Sequence, residues 1–212
     1  MAFLLLWLLL SYDWTALVPL VTHQVPRLEM RQGTSENTGV CSAVVFQIDT
    51  EGVAHALTAA HCVDHAPAEH FDITANGRTA KPVLYNRIFD LAIIQFRPPR
   101  DTLVMQLAAQ SPVAGSEVGV AGYAFGIQEI AFQFGHVAQP FNRETKALWL
   151  DARVIFGDSG GAVFNVDGQL VGVTTSIFFQ GPANMGGAVP IETVRDFIDD
   201  YRDFLKHEGK KQ

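Results

Sequence analysis

A serine sits in a glycine-rich pentapeptide, Gly157-Asp158-Ser159-Gly160-Gly161, between a largely apolar run from Ala147 to Phe156 and another from Ala162 to Val166. A serine hydroxyl is a weak nucleophile, so acyl chemistry at Ser159 needs a neighbouring base and a place for the developing oxyanion. Glycines let the backbone turn sharply, so that the N–H groups of Gly157 and Ser159 can converge on one spot. The same composition also suits a plain turn between two strands. Upstream, Leu57-Thr58-Ala59-Ala60-His61-Cys62 sets a histidine at the end of a β-rich run, where it could serve as that base. Asp90 heads the apolar stretch Leu91-Ala92-Ile93-Ile94. An unpaired charge there would be costly, and holding an imidazole N–H in one tautomer gives it a partner. The chemistry these types allow is acyl transfer with His61, Asp90 and Ser159 in that order.

The elements that must position these groups are strands. From Val40 the chain reads as short apolar runs with turn punctuation, the pattern of an all-β fold. Val40–Ile48, Val53–Thr58, Phe71–Thr74, Ala80–Tyr85 and Leu91–Phe96 form a first predicted set, with Asn76-Gly77 a hairpin signal. Pro98-Pro99-Arg100-Asp101 then opens a connection running to Ser116. Glu117–Tyr123, Ile130–Ala138, Ala147–Asp151, Ala162–Asn165, Gln169–Phe178 and Gly187–Val189 form a second set. From Ile191 to Leu205 the period changes: Ile191, Val194, Phe197, Ile198, Tyr201, Phe204 and Leu205 make the stripe of an amphipathic helix. Packing on the second set of strands is its expected role, and Gly209 is its expected stop.

The chain has 212 residues, long enough for one or two domains, and an apolar share of 48% supports a full core. A net charge of −7 argues against a nucleic-acid partner. Residues 2–10 are uninterrupted apolar, too short alone for a membrane span but suited to the core of an export signal. No Lys or Arg precedes them and no small-x-small cleavage site follows. Residues 1–21 are therefore read as a hydrophobic signal or membrane anchor, with a helix packed on the protein body as the alternative. Residues 22–38 read as a polar linker, 39–206 as the folded domain and 207–212 as a polar tail.

Thr58-Ala59-Ala60-His61-Cys62, Asp90-Leu91-Ala92-Ile93 and Gly157-Asp158-Ser159-Gly160-Gly161 together resemble the trypsin-like serine proteases. Gly122-Tyr123-Ala124-Phe125-Gly126, Asp151, the run Gly168–Thr175 and Gly187-Ala188-Val189-Pro190-Ile191 resemble the HtrA/Deg branch of that family. The resemblance implies two six-stranded antiparallel β-barrels with a C-terminal α-helix, and a serine endopeptidase acting on polypeptides without a cofactor. It implies His61, Asp90 and Ser159 as the triad, the Gly157 and Ser159 amides as the oxyanion hole, and a Thr175 hydroxyl bonded to Asp90. It also implies a Cys41–Cys62 disulfide, which would favour an oxidising compartment and export; a pair of small buried thiols is the alternative. The chain leaves no room for the PDZ domain that many HtrA/Deg proteins carry. No Ile/Val-x-Gly-Gly follows Arg27 or Arg31, so Asp158 lacks the partner amine of trypsin-type zymogens. Where trypsin has its basic-specificity aspartate, six positions before the serine, this chain has Arg153. With Val154, Ile155, Phe156, Ser176 and Ile177 nearby, an apolar pocket is expected, and an inward Arg153 recruiting acidic side chains is the rival. Thr175, Ser176 and Ile177 should offer an edge to an extended peptide. Two other classes compete. His61, His65 and His70 with Cys62 could hold zinc, and a protease fold can serve as a non-catalytic binding module, although such modules usually lose a triad member.

Overall fold

The computed structural model describes residues 13–32, 38–64, 71–140, 147–178 and 185–208. The hydrophobic run at residues 2–10 and the tail beyond 208 lie outside them. A 3-10 turn at Trp14–Ala16, capped by the Asp13 carboxylate, leads into α1 (Val18–Thr22). Both lie on the protein body: Val21 is fully buried, and Trp14 stacks on Phe134 and Phe164 with ring centroids 4.9 and 5.7 Å away. No helix among the described residues is long and apolar enough to cross a membrane.

Seven strands follow: β1 (Arg27–Gln32), β2 (Thr38–Ser42), β3 (Val44–Ile48), β4 (Ala54–Thr58), β5 (Phe71–Ala75), β6 (Arg78–Asn86) and β7 (Leu91–Phe96). They form one antiparallel sheet in the order β2-β1-β5-β6-β7-β4-β3. The expected first barrel of six strands is thus a seven-stranded sheet. Its extra strand, β1, comes from the stretch expected to be linker. The alternation Arg27, Leu28, Glu29, Met30, Arg31 is the reason: Leu28 is fully buried in this sheet's core and Met30 packs against the same cluster. The single strand expected over Val40–Ile48 breaks at Ala43. Its N–H bonds to the Pro26 carbonyl at 3.0 Å, while β2 pairs with β1 and β3 with β4. Asn76 and Gly77 both take positive φ (48° and 71°), as a two-residue hairpin turn requires. The Asn76 side-chain carbonyl also accepts from the Arg27 N–H at 2.9 Å, tying this tip to the start of β1.

The second unit is a closed barrel of β8 (Glu117–Gly122), β9 (Ala131–Gln139), β10 (Leu148–Leu150), β11 (Ala162–Phe164), β12 (Leu170–Phe178) and β13 (Met185–Pro190). Its strand order is β10-β13-β12-β11-β8-β9. After the barrel comes α2 (Ile191–Glu208), the last element among the described residues. Its stripe is buried through Ile191, Val194, Phe197, Ile198 and Tyr201, each worth about 1.5–3 kcal/mol where large and apolar. The stripe ends there: Phe204 and Leu205 remain 39% and 37% exposed. These five side chains share one core with Val44, Leu57, Leu91 and Ile93 of the first sheet and Val120, Val163 and Val173 of the barrel. At the far end of the stripe, the Tyr201 hydroxyl accepts from Gln95 Nε2 at 2.9 Å and bonds His55 Nδ1 at 2.7 Å. The helix that follows the second barrel is therefore clasped to β4 and β7 of the first sheet.

Candidate active site

His61 stands in a 3-10 turn (Ala60–Cys62) directly after β4, and Asp90 immediately before β7, the strand paired with β4. Adjacent strand ends thus bring the two together. The His61 N–H donates to Asp90 Oδ1 at 2.9 Å and His61 Nδ1 lies 2.7 Å from Asp90 Oδ2. The Ala60 N–H donates to the Asp90 carbonyl at 3.1 Å. Three contacts hold Asp90 in the left-handed region at φ 53°, a conformation Asp tolerates better than most side chains. With Nδ1–H engaged by the carboxylate, Nε2 is left as the basic nitrogen. The Asp90 hydrogen bond raises the His61 pKa above its ordinary 6.5, against a smaller opposing effect of burial. The expected disulfide braces this corner: Cys41 of β2 is bonded to Cys62 with Cα atoms 6.4 Å apart.

Ser159 is half-buried at a turn leading into β11. This turn lies against the end of β4: a Cβ built on Gly160 would come within 2.9 Å of the Ala59 nitrogen and 2.2 Å of the Ser42 carbonyl oxygen. Gly160 has φ 81°, so neither backbone nor space admits a side chain. In a trans peptide the C=O and N–H point in opposite directions. The Phe156 carbonyl accepts from the Phe125 N–H at 2.6 Å, which turns the Gly157 N–H the other way. The Asp158 carbonyl accepts from the Gly161 N–H at 2.8 Å and from the Thr174 hydroxyl, which does the same for the Ser159 N–H. Neither the Gly157 nor the Ser159 N–H donates to another described residue. Two oriented donors flanking a serine can hold an anionic oxygen.

Three residues here escaped the sequence reading. Ser42, at the end of β2, is fully buried and contacts Thr58, Tyr123, Gly157 and Ser159. Phe125 holds φ 53°, a strained conformation costing on the order of 1–3 kcal/mol, while its N–H orients the turn. Thr174 is fully buried, and its hydroxyl bonds the Asp158 and Gly161 carbonyls. Among the hydrogen bonds of the described residues none joins Thr175 to Asp90, so the bond expected of Thr175 is not formed. Only the Phe125 region carried a sequence signal, the glycines at 122 and 126.

Asp158 points inward and is fully buried. Its Oδ2 accepts from the Ile155 N–H at 3.0 Å and lies 3.5 Å from Gln133 Nε2, while Oδ1 has no hydrogen-bond partner among the described residues. Burial pushes its pKa up to about 6, despite the opposing effect of the Ile155 N–H. Asp151 faces β9 instead, its carboxylate accepting from the His136 N–H.

Of the residues expected at a specificity pocket, Arg153 is exposed, Val154 is buried and Ile155 is half-buried. Phe156 is 70% exposed and lines a cleft of about 280 Å³ with Val40, Phe125, Gly126 and Gly157. The side chains of Ser176 and Ile177 lie outside the described residues, but their backbone belongs to β12. Among the described residues, β12 beyond Val173 pairs with β13 alone, so the backbone from Thr175 to Phe178 has one edge with no described partner strand. His65 and His70 lie outside the described residues. Cys41 and Cys62 lie close to His61 but are joined to each other, so neither has a thiolate to offer a metal.

Residues 38–173 match the family described as trypsin-like peptidase domain. The chain is 28% identical over 152 residues to the periplasmic serine endoprotease DegP of Salmonella typhimurium, covering 67% of this chain and 32% of that protein. It is 26% identical over 217 aligned positions to serine protease HTR4 of Bos taurus, covering 93% of this chain and 43% of that protein. The chain thus spans less than half the length of these curated relatives. Among solved structures, the serine endoprotease of Yersinia pestis superposes with a TM-score of 0.74 at 20% identity, covering 90% of this chain and 67% of the other, which establishes the shared fold.

Proposed function

Because the chain belongs to the trypsin-like peptidase family, matched from 38 to 173, we propose that it is a serine endopeptidase hydrolysing polypeptides through an acyl-enzyme. Ser159 Oγ attacks the scissile carbonyl carbon while His61 Nε2 takes its proton, and the carbonyl electron pair moves onto the oxygen. The Gly157 and Ser159 N–H groups hold that oxyanion. The tetrahedral species collapses, the C–N bond breaks, and His61 returns the proton to the leaving amine. Water then repeats the cycle on the ester, releasing the acid and restoring Ser159. Asp90 keeps Nδ1 protonated and steadies the imidazolium. The His61–Asp90 pair carries this assignment: a 2.7 Å contact, doubled by the His61 N–H, fixes the tautomer that the chemistry needs.

The edge of β12 without a described partner strand, at Thr175, Ser176 and Ile177, supports binding of an extended substrate by strand addition. The exposed Arg153 and its apolar neighbours Val154, Ile155 and Phe156 support preference for small or medium apolar side chains before the scissile bond. The disulfide supports an oxidising compartment and hence export, although the relatives include both periplasmic and mitochondrial proteases. Because residues 14–22 pack on the protein body, membrane association is kept in the proposal only for the apolar run at residues 2–10. A fluorophosphonate probe tests the chemistry. It labels the folded protein, and Ser159→Ala abolishes both labelling and peptide hydrolysis; Ser159→Ala protein that still hydrolyses peptide at a tenth of the parent rate refutes the mechanism.

A further inference from the structure

We infer that the Ser42 hydroxyl is a positioning residue for the oxyanion-binding turn, a role that rests on the serine-peptidase assignment above. Ser42 belongs to the first sheet and every residue it orients belongs to the second barrel. Its Oγ accepts from the Tyr123 N–H at 2.9 Å. A backbone N–H can only donate, so the hydroxyl's single proton is left for the Gly157 carbonyl, 2.8 Å away. That bond fixes the peptide plane between Gly157 and Asp158. The Ser42 N–H donates to the Ser159 carbonyl at 2.8 Å, fixing the plane between Ser159 and Gly160. The two N–H groups that face the oxyanion lie on either side of the first of these planes and just before the second. Ser42 is itself held, its carbonyl accepting from the Thr58 hydroxyl at 2.8 Å.

The backbone half of this arrangement survives any ordinary substitution, whereas the hydroxyl half exists only with an alcohol at this position. With Ser42→Ala, the Gly157 carbonyl and the Tyr123 N–H both lose the partner they have in Ser42, and an unpaired buried group seeks another arrangement. The turn is the part able to move, since Gly157 at φ 96° has the freedom of glycine. Removing one oxyanion donor outright costs about 10²–10³ in turnover. Loosening the turn that presents the donors should cost less, about 10–100-fold.

The test uses the full chain with a fluorophosphonate and a peptide substrate. Ser42→Ala should lower both kcat and the labelling rate about 10–100-fold. In a Ser159→Ala background, Ser42→Ala should leave the Kd for the same peptide within about twofold. A merely structural loosening would weaken peptide binding as well. The His61 inflection of the pH–rate profile should not move, because Ser42 touches neither His61 nor Asp90. Ser42→Thr, which keeps the hydroxyl, should restore labelling to within about threefold of the parent. If Ser42→Ala labels as fast as the parent, or if a folded Ser42→Thr is as slow as Ser42→Ala, the positioning role is overturned and the peptidase assignment stands. Should Ser42→Ala not fold, the Ser42→Thr labelling rate decides alone, by the same threefold limit. A parent protein that takes no label overturns both.

Discussion

Asp158 offers a quantitative check on the electrostatics beside Ser159. Its carboxylate is fully buried with one oxygen unpaired, and its pKa rises from an ordinary 3.8 to about 6. The folded chain therefore holds a proton between these values that the unfolded chain has already released. The contribution to stability is most favourable below pH 3.8 and is lost as pH rises through about 6. A pKa moved by that much corresponds to about 3 kcal/mol. Asp158→Asn keeps the shape and an acceptor for the Ile155 N–H but never ionises. The stability of Asp158→Asn relative to the parent should therefore climb by about 2.4 kcal/mol between pH 4 and pH 7. In a chain of this length that is about 5–10 °C in Tm. Urea unfolding at pH 4, 5, 6 and 7, with both proteins in a Ser159→Ala background to prevent self-digestion, measures the gap directly. Every other titrating group is common to the pair and cancels. A gap at pH 7 within about 0.5 kcal/mol of that at pH 4 would refute the reasoning and place a compensating cation or solvent at the unpaired oxygen.

Turnover should rise as His61 loses its proton, with an inflection above 6.5, because the Asp90 hydrogen bond favours the charged ring. Asp90→Asn should lower that inflection and cut kcat by about 10⁴, the magnitude typical of this substitution in triad proteases; a pH–rate profile left in place would count against the pairing. Reducing the Cys41–Cys62 bridge opens a loop of 21 residues and should cost about 3 kcal/mol. Activity should decline at denaturant concentrations where circular dichroism still reports folded sheets, and a reduced protein of unchanged Tm and rate would contradict the bracing role. Cleavage-site profiling on a denatured protein mixture should return apolar residues before the scissile bond. Cutting mainly after Lys or Arg would exclude this specificity, and cutting after Asp or Glu would place Arg153 in the pocket.

Local signals in the sequence were strong where one short segment decides its own structure. Asn76-Gly77 needs only its two positive φ angles to make a hairpin, and the Ile191–Tyr201 stripe needs only helical spacing to find a core. β7 ran from Leu91 to Phe96 as its apolar run indicated. The polar composition of residues 22–38 concealed β1, whose period of two is visible once composition is set aside. Arg27, buried at the start of the strand, pairs with Glu29 and donates to the Gly126 carbonyl at 3.0 Å. Closure of the first unit could not be read, since it depends on how seven strands curve rather than on any run. The candidate site could be read as three separate motifs, because His61, Asp90 and Ser159 each sit in a distinctive local setting, and the structure brings His61 and Asp90 into contact. Ser42 could not be read, as a serine at a strand end has no signature and its partners lie 81 and 115 residues away.

The Tyr201 clasp has a consequence for how the protein is made. His55 and Gln95 emerge from the ribosome long before their partner, with 146 and 106 residues separating them from Tyr201. At roughly 5–20 residues per second, His55 waits about 7–30 s for the hydroxyl that satisfies it. During that interval the first sheet lacks the helix that closes its share of the common core, leaving Leu57 and Ile93 without the side chains of α2. A nascent chain thus carries His61 and Asp90 early and Ser159 late, and completes its core only after Ser159 has been added. The first sheet's share of the common core therefore closes only once α2 has been made, well after the strands it covers.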